Sequence, residues 1–158
     1  MTIAHRAPAV DAAGVDEAAD WLRDRGHRVS AARRLVLEAL FAADEPVSAE
    51  RIAAGLDGAL PESDLASVYR NLDTLERLGL VRHFHAGHGA GMYALAREQE
   101  YVACNSCGEV RALDAERFDS VRELIRRDLG ITARFDHFPI VGLCARCEAA
   151  TQPDDERS

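Results

Sequence analysis

Residues 61–95 have the sequence PESDLASVYRNLDTLERLGLVRHFHAGHGAGMYAL, in which a helical period is followed by two strand-like runs. Apolar residues recur at helical spacing over Leu65–Leu78, and Gly79 ends the pattern. Residues 80–85 and 92–95 are strand candidates joined by a glycine-rich turn. A helix followed by a two-stranded ribbon is typical of a winged-helix domain.

Three shorter helices are predicted before this segment. The first begins at residue 16 and ends before Gly26, the second follows a capping Ser30 and covers residues 31–42, and the third ends near Gly58. We therefore expect a winged helix-turn-helix domain over residues 16–96. Residues 1–15 show no sustained period and are predicted to be a flexible tail.

All four cysteines fall in two CxxC pairs. The pairs are Cys104 with Cys107 and Cys144 with Cys147. Two such pairs can place four thiolates around one cation at about 2.3 Å, the closed geometry of structural Zn²⁺. A redox dithiol and two disulfides are the alternatives, although a dithiol motif usually occurs alone and disulfides are rare in the cytoplasm.

The cysteine pairs belong to a second predicted domain. Residues 97–100 contain no apolar side chain and form the expected linker. Residues 101–149 combine short strands, a helix over 115–129 and an extended stretch over 131–143, and residues 150–158 are predicted to be a disordered tail. The expected fold class is α+β, with a winged helix-turn-helix domain and a C-terminal α/β dimerisation domain that carries a four-cysteine zinc site.

The charge and hydropathy of the sequence limit the classes of function that are possible. The formal net charge of −8 argues against a general polyanion binder, so any DNA contact must be local. A local basic cluster exists, made of Arg23, Arg25, Arg28, Arg33 and Arg34. No apolar run approaches the roughly 20 residues of a membrane span, and no signal-peptide pattern is present, so we expect a cytoplasmic protein without a membrane partner.

An enzyme is not expected. A catalytic zinc needs an open coordination position and a nearby general base, whereas four cysteines close the first site.

The order of winged helix, linker, CxxC pair, helix, histidine and second CxxC pair resembles the ferric-uptake-regulator family across about residues 18–148, and three motifs carry the resemblance. Residues 63–72, SDLASVYRNL, are similar to the family's recognition-helix signature. Arg28-Val29-Ser30 with Arg33 resembles the entry to its second helix, and residues 137–144, HFPIVGLC, resemble its closing strand.

The resemblance implies a metal-responsive, DNA-binding transcriptional repressor of metal-homeostasis or oxidative-stress genes. Its expected partners are a second copy of the chain and a double-stranded, pseudo-palindromic DNA operator. The residues expected to contact DNA are Arg33, Ser67, Tyr69, Arg70 and Asn71. Among them, Tyr69 would contact a base, for example a thymine methyl, while Arg70 and Arg33 would bind phosphates.

A second, regulatory metal site is expected at histidines. His83 and His85 alternate on a predicted strand, so both project from one face, and the nickel-responsive branch of the family resembles this chain in that H-x-H pair. His137 matches a metal-ligating family position. A site of these three would bridge the two domains. Imidazole ligands without thiolate favour Ni²⁺ or Zn²⁺, so one of these is the expected regulatory cofactor beside the structural Zn²⁺.

Weaker ligand candidates are His88, Glu98 and Glu100. Residues 98–101, EQEY, stand where the family has a histidine-rich stretch, which disfavours the iron and peroxide interpretations. The alternatives are a zinc-stapled winged-helix regulator that binds DNA without metal sensing, and a peroxide- or iron-sensing family member.

Overall fold

The computed structural model describes residues 9–85, 89–135 and 139–151. Its contacts divide the chain into two compact units. We call Met1–His83 with Gly91–Glu98 the helical unit, and Phe84–Ala90 with Gln99–Ser158 the cysteine unit. Within the described ranges, no helix has the length and apolar character needed to cross a membrane.

Five helices form most of the helical unit. They are α1 (Val15–Asp24), α2 (Ala31–Ala42), α3 (Ala49–Ala53), the single turn α4 (Gly55–Gly58) and α5 (Leu65–Arg77). Side-chain oxygens of Ser30, Ser48 and Asp64 cap α2, α3 and α5, each accepting a hydrogen bond from a backbone N–H three residues later. The predicted third helix is interrupted, because Leu56 and Asp57 adopt positive φ angles.

The helices of this unit pack around one apolar core. Its fully buried large side chains include Leu22, Leu37, Ile52, Leu72 and Leu75. Each such burial contributes about 1.5–3 kcal/mol. Leu65, expected on the buried side of α5, is instead 39% exposed, because it is the first residue of the helix.

A small sheet completes the winged helix. Strands β2 (Val81–His85) and β3 (Gly91–Leu95) form the predicted ribbon, and β1 (Val47–Ser48) adds a third strand in the order β1-β3-β2. Residue Val47 pairs with Tyr93 in antiparallel register. A two-residue strand has no detectable sequence period, so only its pairing reveals it.

The N-terminal segment differs from the expected tail. The backbone N–H of Val10 donates to the carbonyl of Gly79, and Ala12 is buried in the core. These contacts order the residues just before α1. Residues 1–8 lie outside the described part of the chain, as do residues 152–158 of the predicted C-terminal tail.

The cysteine unit is built on a second three-stranded sheet. Strand β4 (Gln99–Cys104) lies at its centre, antiparallel to β5 (Val110–Asp114) and parallel to β6 (Ile140–Gly142). Helix α6 (Asp119–Leu129) follows a 3-10 turn over Ala115–Phe118, and α7 (Ala145–Thr151) ends the described chain. Of the stretch predicted as extended over 131–143, only β6 is a strand among the described residues.

The apolar side of α6 is not covered by the residues that the structure describes. Val121, Leu124 and Leu129 are 40%, 49% and 68% exposed, although they recur at helical spacing, as the residues of a buried helix face do. Ile131, Val141 and Leu143 of the same unit are also exposed. Contiguous exposed apolar residues of this kind are typical of a protein–protein contact surface.

Candidate metal centre and DNA-binding surface

The two CxxC pairs meet in the cysteine unit. The sulfurs of Cys104, Cys107, Cys144 and Cys147 all lie within 4.8 Å of one another, and none of the four is in a disulfide. The Sγ atoms of Cys107 and Cys144 are 3.9 Å apart. A tetrahedron with Zn–S bonds of ~2.3 Å has sulfur–sulfur edges of about 3.8 Å, so the cluster fits structural zinc.

Local backbone structure creates this arrangement. The first pair lies in a tight turn at the end of β4, where Gly108 has φ +74° and its N–H donates to the carbonyl of Cys104. The second pair lies at the start of α7. The backbone N–H of Cys144 points at Sγ of Cys104 at 3.3 Å, so the two turns are joined before any metal is considered.

The electrostatics of the cluster favour a bound cation. Backbone N–H groups of Cys107 and Cys144 lower the pKa of Cys104 to about 6, so this thiol is ionised at neutral pH. At Cys147, the hydroxyl of Ser106 lowers the pKa, but the neighbouring sulfurs outweigh it and raise the pKa to about 11. The four cysteines can all be thiolates at this separation only if a positive charge lies between them, and Zn²⁺ would supply that charge.

The carboxylate of Glu100, a weaker metal-ligand candidate, is engaged by an arginine. Glu100 is 6% exposed and forms an ion pair with Arg122 of α6. Arg122 also donates to Asp119 at 2.9 Å and to the carbonyl of Ala115 at 2.8 Å. The guanidinium thus supplies the positive charge that Glu100 requires. The prediction that Glu98 and Glu100 ligate a metal stays a prediction, and at Glu100 it would require this pair to break.

Arg122→Ala is expected to destabilise the cysteine unit. Removing one partner of a buried ion pair leaves an uncompensated charge and typically costs about 3–5 kcal/mol. The effect should appear as a lower urea midpoint of the zinc-loaded protein, followed by circular dichroism and zinc release. Arg127→Ala is the matched control, because Arg127 lies on the same helix but pairs only with its exposed neighbour Asp128 among the bonds described. Equal midpoints for the two variants would contradict the structural role of Arg122.

The histidines of the expected regulatory site are only partly described. His83 lies on β2, stacked on Tyr93 with ring centroids 4.7 Å apart, and its Nδ1 is 3.9 Å from Oε2 of Glu76. His85 is exposed two residues later on the same strand. His137 and His88 lie outside the described residues. Their assignment as ligands stays a prediction.

Helix α5 presents the candidate DNA-binding surface of the helical unit. Val68, Leu72 and Leu75 are buried, while Tyr69 is 42% exposed and the side chain of Arg70 is 73% exposed. Ser67 is half-buried in the first turn, where its N–H is used by the cap. Helix α5 is therefore packed against the apolar core on one side and exposed on the other.

Arg33 and Asn71 lie together between α2 and α5. Nε of Arg33 donates to Oδ1 of Asn71 at 3.1 Å, and Nδ2 of Asn71 donates to the carbonyl of Ser67 at 2.9 Å. Asn71 is 8% exposed. Its role in DNA contact stays a prediction, and it would require these hydrogen bonds to break. Arg33 also donates to the carbonyl of Arg28, so it is positioned by both neighbours.

The basic cluster is partly neutralised by nearby acids. Arg23 pairs with Asp20, and Arg34 pairs with Asp16 and Glu38. Arg25 lies over the ring of Trp21, 3.9 Å from its centroid. These arginines therefore take part in contacts within and between α1 and α2, and not all of their positive charge is available to DNA.

Sequence reasoning missed Glu50 of α3. Its Oε1 accepts a hydrogen bond from the hydroxyl of Tyr69 at 2.7 Å. The two residues are 19 positions apart and lie on different helices, so no local pattern indicates the contact.

Comparison with known proteins extends these findings. The sequence model of the ferric uptake regulator family matches residues 24–137. The chain is 27% identical to the peroxide operon regulator of Bacillus subtilis (strain 168) over 132 residues, covering 83% of this chain and 91% of the relative. It is also 27% identical to the ferric uptake regulation protein of the same organism over 139 residues, covering 84% and 93%.

A solved structure agrees with the fold. A zinc uptake regulator in complex with zinc and DNA is similar with a TM-score of 0.55 and 25% identity, covering 86% of this chain and 93% of the other. The predicted fold class, with a four-cysteine cluster suited to zinc in the C-terminal part, is confirmed. With the family model matching most of the chain, the protein belongs to the ferric uptake regulator family, whose members are transcriptional regulators and not enzymes.

Proposed function

We propose that this protein is a metal-responsive repressor that binds operator DNA as a homodimer through α5. The observation that carries the proposal is the division of α5 into a buried apolar side and an exposed side with Tyr69 and Arg70. A helix of this kind suits the major groove, where base edges are distinguishable. The exposed arginine is available to a phosphate, which positions the helix without reading sequence.

The dimer uses the uncovered apolar surface of the cysteine unit. Three side chains of α6 and the exposed residues of the following segment form that surface, and an isologous contact with a second copy buries it on both chains. A two-fold dimer presents two recognition helices. The operator is therefore a pseudo-palindrome with its half-sites one helical turn or a multiple apart.

The regulatory metal is held by His83, His85 and His137, and its binding orders the dimer for operator binding. Neutral imidazoles favour Ni²⁺ or Zn²⁺. Glu98 and Glu100 are less suitable ligands, since Glu100 is already paired with Arg122. Two alternatives remain: a zinc-stapled regulator that binds DNA without metal sensing, and a peroxide or iron sensor, which the names of the two Bacillus subtilis relatives favour.

The experiment starts by selecting an operator from a random double-stranded DNA library with the purified protein. Protein that keeps its tightly bound zinc but lacks a second metal is then titrated with Ni²⁺, Zn²⁺, Fe²⁺ or Mn²⁺ while operator binding is followed. A coupling of ~1–3 kcal/mol, a rise in affinity of about 5- to 150-fold, is expected with Ni²⁺ or Zn²⁺. No response to any metal would favour the non-sensing regulator, and a response to Fe²⁺ alone would favour the iron or peroxide sensor.

Tyr69→Ala is expected to lose operator selectivity more than general DNA affinity. The variant removes a proposed base contact, worth about 1–3 kcal/mol of discrimination per half-site, but leaves the phosphate-binding arginines in place. The measurement is the ratio of dissociation constants for operator and scrambled DNA at one salt concentration. Arg70→Ala provides the contrast, since it should weaken both complexes alike. An equal loss with both DNAs for Tyr69→Ala would contradict base reading.

A further inference from the structure

The hydroxyl of Tyr69 is tethered to a carboxylate on another helix. It donates to Oε1 of Glu50 at 2.7 Å, and both side chains are exposed. The same hydrogen bond lowers the pKa of Glu50 and raises the pKa of Tyr69. The pair is therefore a neutral phenol and an ionised carboxylate at neutral pH, and such charge-assisted bonds are among the stronger ones.

The tether restricts what Tyr69 can do at a DNA surface. A phenol has one proton, and here that proton is committed to Glu50, so the hydroxyl cannot donate to a base without losing this bond. The ring remains exposed, and the hydrogen bond to Glu50 favours one orientation of it. A ring fixed before binding loses less conformational entropy on contact with a base than a ring that samples several rotamers.

A carboxylate in this position has a cost if α5 approaches DNA. Its negative charge repels the DNA phosphates and so lowers general affinity for DNA. The Tyr69 hydroxyl is the largest cause that lowers the pKa of Glu50, and the side chain of Ser48 adds a smaller effect in the same direction. Glu50 therefore lowers the general affinity for DNA while it restricts the orientation of the Tyr69 ring.

We propose that Glu50 is a positioning residue that sets the base selectivity of the protein by holding the Tyr69 ring against a thymine methyl group. The proposal rests on the proposed function, in which α5 enters the major groove. Glu50 acts through Tyr69 and does not itself contact a base. Its removal should therefore increase general affinity and decrease selectivity, which are opposite effects of one substitution.

The test uses the full-length, metal-loaded protein and the selected operator. Each thymine is replaced in turn by deoxyuridine, which lacks only the C5 methyl group. At the contacted thymine, the wild-type protein should lose about three- to tenfold in affinity. Glu50→Ala should reduce that loss to less than about twofold, while binding scrambled DNA more tightly than the wild type does.

Three further variants isolate the tether. Glu50→Gln keeps an oxygen that accepts from the hydroxyl and should retain the loss of affinity on deoxyuridine replacement. Because glutamine is uncharged, its general affinity for DNA should rise. Tyr69→Phe keeps the ring without the tether and should reduce the deoxyuridine loss as Glu50→Ala does, but without a gain in general affinity, because the charge of Glu50 remains. The double variant Glu50→Ala/Tyr69→Phe should lose no more selectivity than either single variant. Glu62→Gln, which removes an exposed charge ahead of α5, should change general affinity alone.

Several results would overturn the proposal. A wild-type deoxyuridine loss in Glu50→Ala would show that the ring needs no tether. Loss of selectivity in Tyr69→Phe but not in Glu50→Ala would mean that the hydroxyl reads DNA directly, and additive losses in the double variant would mean that Glu50 contacts a base itself. Thermal unfolding of each variant checks that the fold is kept. Failure of the wild-type protein to select any operator would instead refute the proposed function.

Discussion

Replacing Cys104 and Cys107 together by serine is expected to abolish zinc binding and to unfold the cysteine unit. The four sulfurs lie within 4.8 Å of one another, and the backbone N–H of Cys144 in the second pair donates to Sγ of Cys104 in the first. Structural zinc in small domains supplies on the order of 10 kcal/mol or more of folding free energy. A unit with an uncovered helix and a three-stranded sheet has little else to replace that contribution.

Three measurements check this expectation. Elemental analysis should show the loss of one tightly bound zinc per chain, and circular dichroism should lose part of its helical signal. Sedimentation should report monomers, since the apolar surface of α6 is in the same unit. Fluorescence of Trp21 should change little, because this single tryptophan lies in the helical unit.

The matched control is Asn105→Ala. Asn105 lies between the two cysteines of the first pair, and only its backbone N–H is hydrogen-bonded, to the carbonyl of Gly142, among the described bonds. This variant should keep the zinc and the fold. A zinc-free double-serine variant that remains folded and dimeric would show that the cluster does not have a structural role.

His83→Ala is expected to abolish the response of DNA binding to the second metal while leaving the tightly bound zinc in place. If His83 is one of three imidazole ligands, its loss removes the coupling and the associated rise in affinity, about 5- to 150-fold. The measurement is operator affinity with and without added metal, together with zinc content. His27→Ala, in the turn after α1, should behave as the wild type does.

The alanine variant also removes the stack on Tyr93, so a second variant separates packing from ligation. His83→Phe keeps an aromatic ring over Tyr93 but has no nitrogen for a metal. Loss of the metal response in both variants supports ligation by His83. A normal response in His83→Phe removes this residue from the site and assigns it a packing role.

Local features of the structure could be predicted from the sequence. Helix α2 covers Ala31–Ala42 behind Ser30, as its cap and period indicated, because both signals involve residues within one or two turns of each other. The four cysteines of the cluster were also predicted, since their spacing reflects the geometry that one cation demands. Family membership followed from the resemblance of residues 63–72, 28–33 and 137–144 to family motifs and is confirmed.

Side-chain partners on different elements could not be predicted in this way. Asn71 was expected to contact DNA, yet it is buried and bonded to Arg33, which is 38 residues away. Glu100 looked like part of a solvated linker, yet it forms a buried pair with Arg122. In each case the packing of two secondary-structure elements determines which polar partner is within reach.

The sequence by itself determined most of the helices and the four cysteines of the cluster, because caps, periods and ligand spacing act over a few residues. It determined the family through the resemblance of its motifs. Only the tertiary structure decided which polar groups satisfy one another and which apolar side is left open. The exposed side of α6 illustrates the reason: its period defines an apolar face, but whether that face is covered depends on what the rest of the chain can reach. The tether between Glu50 and Tyr69 was decided in the same way, by the packing of α3 against α5.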